Sequence, residues 1–360
     1  MRRYILLLPL FLFLALPAEG VSLEETVDYP QLERASRAYL DEYLGLDGAE
    51  NGAAGAQAIL EGGLGRLPGL LRQAGGSVMA LVGVAMLCGL AESIREELGG
   101  GGLSPVRLAG AVAVATIAVA QVNSLMGLGR ETLGQMETFS RLLMPVVTAA
   151  CAATGAPVSA AARQSLVLFF LSLLVSLAER LIAPLIYAYV ATATAHAALE
   201  NEGLGRLAAL LRRGASALMT GFFTAFVALL AVSGALSGSA DAMTQKAAKA
   251  ALSSFVPVVG GILSDAAEAV AAGAGALRSA VGVLGLLTVL AICILPFLRL
   301  GVHYLLYKLS AALCATVCPG PVAALVDDIG SAFALLMGLV GGGGFILYVA
   351  LITSVKAVTG

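Results

Sequence analysis

The sequence predicts an all-α, polytopic helical integral membrane protein with broken or re-entrant segments. Three observations point there. Of the 360 residues, 59% are hydrophobic and only 12% are charged, against about 25% charged in an ordinary soluble domain, so the chain lacks the polar material to coat a surface in water. Long charge-free runs follow one another along the sequence, and about 20 apolar residues suffice for a helix to cross a bilayer. Finally, 43 glycines and no tryptophan supply small residues that let membrane helices approach closely.

Residues 1–18 read as a signal peptide. Arg2 and Arg3 form the positive n-region, Ile5 to Leu14 the apolar h-region, and Leu16-Pro17-Ala18 the cleavage site. The competing reading is an uncleaved first span, but the apolar core is short for a crossing. Residues 19–62 form an acidic extracytoplasmic segment and linker. From Glu19 to Glu61 there are ten acidic and two basic residues. Within it, Glu24 to Leu46 alternates charged and apolar residues at helical spacing, with Leu32, Tyr39, Leu40, Tyr43 and Leu44 on one face, as in an amphipathic helix lying on a membrane or a partner. Residues 47–63 are Gly- and Ala-rich and read as linker.

Residues 63–360 form the polytopic membrane domain. The charge-free runs are 73–91, 108–129, 142–162, 164–178, 181–199, 214–240, 279–298, 309–326 and 329–355, which give six to eight spans. The two runs around Glu179-Arg180 make one long helix or two short ones. The run 309–326 is cut by Pro319-Gly320-Pro321 and reads as a re-entrant or half-crossing piece. Asp327-Asp328 reads as a solvated loop. An internal repeat is visible, because residues 63–72 recur at 203–212 with eight of ten positions identical. Duplication and convergence of Leu/Gly/Arg-rich interfacial helices both explain it, and duplication would suit a transporter.

No arrangement for catalysis is present. None of the four lysines Lys246, Lys249, Lys308 and Lys356 follows a glycine, and there is no HExxH, GxSxG or GxGxxG. His196 and His303 are far apart, each between apolar residues. Cys88, Cys151 and Cys293 lie in apolar runs, and Cys314 and Cys318 have no nearby ligand to complete a metal site. No enzyme, cofactor, metal or nucleic-acid role is therefore expected.

The most distinctive segment runs from Lys246 to Val270. Its apolar middle is fifteen residues, short for a crossing, and Pro257 with Gly260-Gly261 breaks it. A helical hairpin dipping into the membrane, or a bend lining a path, is the expectation, with Asp265 either an N-cap or a carboxylate on that path. Two further patterns, Gly234-x-x-x-Gly238 and Gly338-x-x-x-Gly342, offer helix-packing faces for self-association or for partner helices.

These same residues resemble a known family. Lys246-Ala-Ala-Lys249, Phe255-Val-Pro257-Val-Val-Gly260-Gly261 and Leu263-Ser264-Asp265-Ala266 carry the likeness. So do Ala280-Val-Gly282, Ile292-Cys293-Ile294-Leu295-Pro296, Tyr307-Lys308-Leu309 and Asp327-Asp328-Ile329-Gly330. Upstream, Leu143-Met144-Pro145 and Gly155-Ala156-Pro157-Val158-Ser159-Ala160 fit as well. Over roughly residues 63–360 the chain resembles the stage III sporulation protein AE family of endospore-forming Firmicutes. The resemblance implies a multi-pass protein of the mother-cell membrane surrounding the forespore. It would be one component of a channel-like, secretion-related complex with other membrane proteins of the stage III sporulation A operon and the forespore channel protein. Homo-oligomerisation and lipid contact remain open beside it. The alternative from the residues alone is an independent, permease-like secondary transporter of small molecules.

Overall fold

The computed structural model describes residues 29–43, 52–98, 105–152, 157–232, 280–317 and 320–359. Every regular element among them is helical, and six helical stretches are long and apolar enough to cross a membrane. The helices are α1 (Tyr29–Leu40), α2 (Gly52–Gly65), α3 (Leu67–Glu97), α4 (Pro105–Ala152), α5 (Pro157–Leu177), α6 (Ala183–Leu199), α7 (Glu202–Val232), α8 (Ala280–Val317) and α9 (Pro321–Thr359). Three of them, α4, α5 and α9, begin at proline, whose missing N–H has no intrahelical acceptor to lose there.

Local chemistry sets the boundaries. Helices α5 and α6 are one rod joined by a π turn at Ala178–Ile182. Pro184 follows at the start of α6; with no N–H for the carbonyl four residues back, it forces the ladder to widen. Glu179-Arg180 sits exposed on that turn, so the two charge-free runs on either side form a single long helical stretch. Between α6 and α7 the turn is tight: Glu200 adopts a left-handed conformation at φ 51°, and the Asn201 side chain accepts from the Gly203 N–H at 2.8 Å, capping α7. The run 309–326 divides between the end of α8 and the start of α9. Asp327-Asp328 lies inside α9, because Pro321 opens the helix two turns earlier.

Of residues 47–63, expected as linker, the described part, 52–63, belongs to α2. Ala56 and Ile59 are buried together with Leu286, Leu287 and Ile294 of α8, and a Cβ at Gly63 would lie 2.7 Å from Ile294 Cγ1. Small residues there allow a close docking that reads as linker composition. Helix α1 is amphipathic as its pattern predicts, but its apolar face lies on α8 and α4 of the same chain and not on a membrane or a partner. Leu32, Ser36 and Leu40 are buried, while Arg34, Arg37, Asp41 and Glu42 face outward.

Helix α9 occupies the centre. It packs most heavily on α8 and α4, and also on α5, α6 and α7. Tyr307 and Phe333 join α8 to α9 edge to face at 4.8 Å. Phe170 and Phe226 do the same for α5 and α7 at 5.2 Å.

Candidate functional site

Where α6, α7, α8 and α9 meet, charged and polar groups converge. Lys308 Nζ of α8 donates to Asp327 Oδ1 at 2.8 Å, to Ser331 Oγ at 2.9 Å and to the Asp327 carbonyl at 3.2 Å. Ser331 Oγ lies 3.1 Å from that same carbonyl. From α7, Arg212 Nη1 reaches Ser331 Oγ at 3.4 Å and stands 3.9 Å from Asp328 Oδ1. From α6, the buried Tyr189 hydroxyl lies 2.8 Å from Asp328 Oδ1 and 2.9 Å from the Asp328 carbonyl. Two carboxylates thus face two cations and a phenol, and four helices share one network. The helical placement makes this possible, since Asp327, Asp328 and Ser331 lie within one turn of α9 and present toward different neighbours.

What such a cluster can do is electrostatic. It fixes helix register, and it provides ionisable groups that a membrane helix does not carry without partners. Among the described residues no group of three or more His, Cys, Asp or Glu side chains converges. His303 is buried against Phe333, with Nδ1 2.8 Å from the Arg299 carbonyl. His196 Nδ1 lies 2.9 Å from the Asn201 carbonyl in the α6–α7 turn. Both imidazoles serve local structure.

A second feature is the waist of α9. Gly341 to Gly344 are four successive glycines, and each receives a different neighbour. A Cβ would meet Phe297 at Gly341, Leu133 and Met136 at Gly343, and Cys293 at Gly344. At Gly342 it would overlap the Phe223 ring. Successive helix positions turn by about 100°, so the glycines open α9 on all sides and let α4, α7 and α8 close around it. Gly342 is therefore packed from within the chain. Gly338 is half-buried on the same helix.

Pro257, Gly260, Gly261, Asp265, Gly234 and Gly238 lie outside the described residues, as does the segment 1–18. The network at Lys308, Asp327, Asp328, Arg212 and Tyr189 was missed by sequence reasoning. Its signals in the sequence were Lys308 and Asp327-Asp328 at the two edges of the charge-free run 309–326, both among the residues that carry the family resemblance.

A family model described as Stage III sporulation protein AE matches residues 52–358. Stage III sporulation protein AE of Bacillus subtilis (strain 168) is 30% identical over 199 residues, which is 55% of this chain and 50% of that protein. The chain thus matches about half the length of that curated relative. No solved structure matches the chain.

Proposed function

Because the chain belongs to the stage III sporulation protein AE family, we propose that it is a membrane component of the mother-cell sporulation channel complex. It would sit in the membrane around the forespore, beside other membrane proteins of its operon and the forespore channel protein, and forespore development would depend on it. The observation that carries this reading is the extent of the family match, residues 52–358, which takes in all six apolar helical stretches. A non-enzymatic, architectural role is supported by the network, which ties helices together. Residues 1–18 act as the signal peptide in this reading, and N-terminal sequencing of the mature protein should begin after Ala18.

The experiment is deletion of the gene in its own host, complemented with wild type. Heat-resistant spores and late forespore gene expression should fall on deletion and return on complementation, with operon partners co-purifying in mild detergent. A deletion strain that sporulates normally contradicts the proposal. The charged network favours a second reading as a permease-like transporter. That reading predicts uptake by the purified protein alone in vesicles, and no need for partners.

A further inference from the structure

Helix α4 has 48 residues, about 72 Å at 1.5 Å per residue. The hydrocarbon of a bilayer is about 30 Å thick, and membrane helices tilt by no more than about 40°. Even at that tilt, about 26 residues of α4 fill the slab, so roughly twenty stand outside it. The exposed face of the helix says which. Leu108, Val112 and Val119 are exposed near its start; Asn123 and Ser124 follow, then Arg130, Glu131, Thr138 and Arg141. One face of one helix changes from apolar to polar near Asn123.

The neighbours change at the same level. Cys88 of α3 sits against Gly110 of α4, next to Val322 of α9. On α3, Met79, Leu87, Leu90 and Ile94 are exposed on one side of Gln73, and Gln73, Arg72 and Gly69 are exposed from there back toward α2. From the Cys88–Gly110 contact, Gln73 and Asn123 lie about 22 and 20 Å along their helices. Counting from Val322 to Asp328, across to Tyr189 and along α6 puts the exposed Glu179-Arg180 at about 23 Å. From Ile94 to Gln73 the apolar band measures about 31 Å, the thickness of hydrocarbon. Beyond that level α1 lies on α8. Its Leu40 is buried with Leu286, Leu287 and Ala291, and Arg34 and Arg37 on its outer face and Asp41 and Glu42 in the turn after it are exposed, charges that hydrocarbon does not accept. The band is interrupted on α7, where Arg206 and Arg213 are exposed, and beyond it Leu71 of α3 and Phe169 and Leu173 of α5 are exposed singly, as scattered apolar side chains are on any water-facing surface.

We propose that bilayer hydrocarbon contacts only the half of the bundle that carries the α3–α4, α6–α7 and α8–α9 turns, along α3, α4 and α6. The other half, capped by α1 and α2, stands in water beyond the membrane. The network at Lys308 and Asp327 then lies within the depth of the hydrocarbon, where its groups need the partners they have. This placement does not depend on the sporulation role.

The test uses the full-length protein in membrane vesicles, with its native cysteines replaced and single cysteines at Val112, Val119, Glu131 or Thr138 carrying a nitroxide. All four positions are on the outer face or half-exposed side of α4. Collision with a water-soluble nickel chelate should be several-fold higher at 131 and 138 than at 112 and 119, and collision with oxygen should run the other way. Equal accessibility at all four sites, high or low, overturns the proposal. Labelling of Cys variants at Arg130 and Arg141 by a polyethylene-glycol maleimide, on vesicles frozen and thawed in the reagent so that it reaches both faces, is the second measurement; failure to label either site counts equally against it.

Discussion

Helices α9 and α3 are both long and apolar enough to cross a membrane, yet in an apolar window of 18 residues 61% of α9 is buried inside the protein and only 22% of the stretch containing α3. Between residues 329 and 351 no position of α9 is exposed. On α3, Met79, Leu87, Leu90 and Ile94 are exposed, and a Cβ at Gly76 or Gly83 would meet nothing within 4 Å. The same composition therefore serves two purposes, a core in α9 and a lipid-facing surface in α3. Substitution costs should differ accordingly.

The largest difference is expected at glycine. Gly342→Leu places a side chain where the Phe223 ring already stands, an overlap that exceeds the about 1–3 kcal/mol of ordinary overpacking and keeps α7 from closing on α9. Folded protein recovered in mild detergent should fall sharply. Gly83→Leu on α3 should be recovered like wild type. Equal recovery of the two variants would erase the contrast between the helices.

Next in size are large-to-small changes. Phe333 is fully buried between α8 and α9, and Phe333→Ala should lower stability by about 3–5 kcal/mol. Leu87→Ala, at a site 69% exposed, should stay within about 0.5 kcal/mol. Thermal unfolding in one detergent measures both.

The network should give an intermediate effect. Lys308→Ala leaves Asp327 without its cation and should cost about 1–3 kcal/mol, the range for removing one partner of a charge-assisted hydrogen bond. The exchange Lys308→Asp with Asp327→Lys should recover part of that loss. A double variant no better than the sum of its parts would show that the pair does not couple.

Much of this contrast is invisible in the sequence, for a physical reason. A charge-free run reports that a segment avoids water, and lipid and protein satisfy that equally. The runs 73–91 and 329–355 therefore look alike, although one faces outward and the other is enclosed. Long helices, the amphipathic face of α1 and the Arg/Glu interruption at 179–180 were legible, because each rests on local periodicity or charge. Asp327-Asp328 looked like a loop because its partners Lys308, Arg212 and Tyr189 come from three other helices. Gly342 looked like a face for a partner helix, since spacing alone cannot say that Phe223 of the same chain fills it. Residues 52–62 looked like linker because glycine and alanine mark both flexible chain and close helix packing.

The smallest expected effect lies at the edge of the bundle. Burial first, and Glu42 second, push the Tyr43 phenol up to about 12, with Arg66 opposing them. The folded state holds the proton more tightly than the unfolded chain, whose ordinary value is 10.0. Its contribution is thus fully present below about pH 10 and lost as pH rises toward 12. Absorbance of the ionised phenol should appear above pH 11 in wild type, while Tyr43→Phe should remove that component and leave stability at pH 7 nearly unchanged.

The most direct test of the enclosed centre uses the unmodified protein. A lipid-soluble photoreactive carbene probe is activated in membranes, and labelled peptides are mapped by mass spectrometry. Peptides covering 79–98 and 108–120 should be labelled heavily and those covering 329–351 hardly at all. Labelling of 329–351 as strong as that of 79–98 would contradict the account.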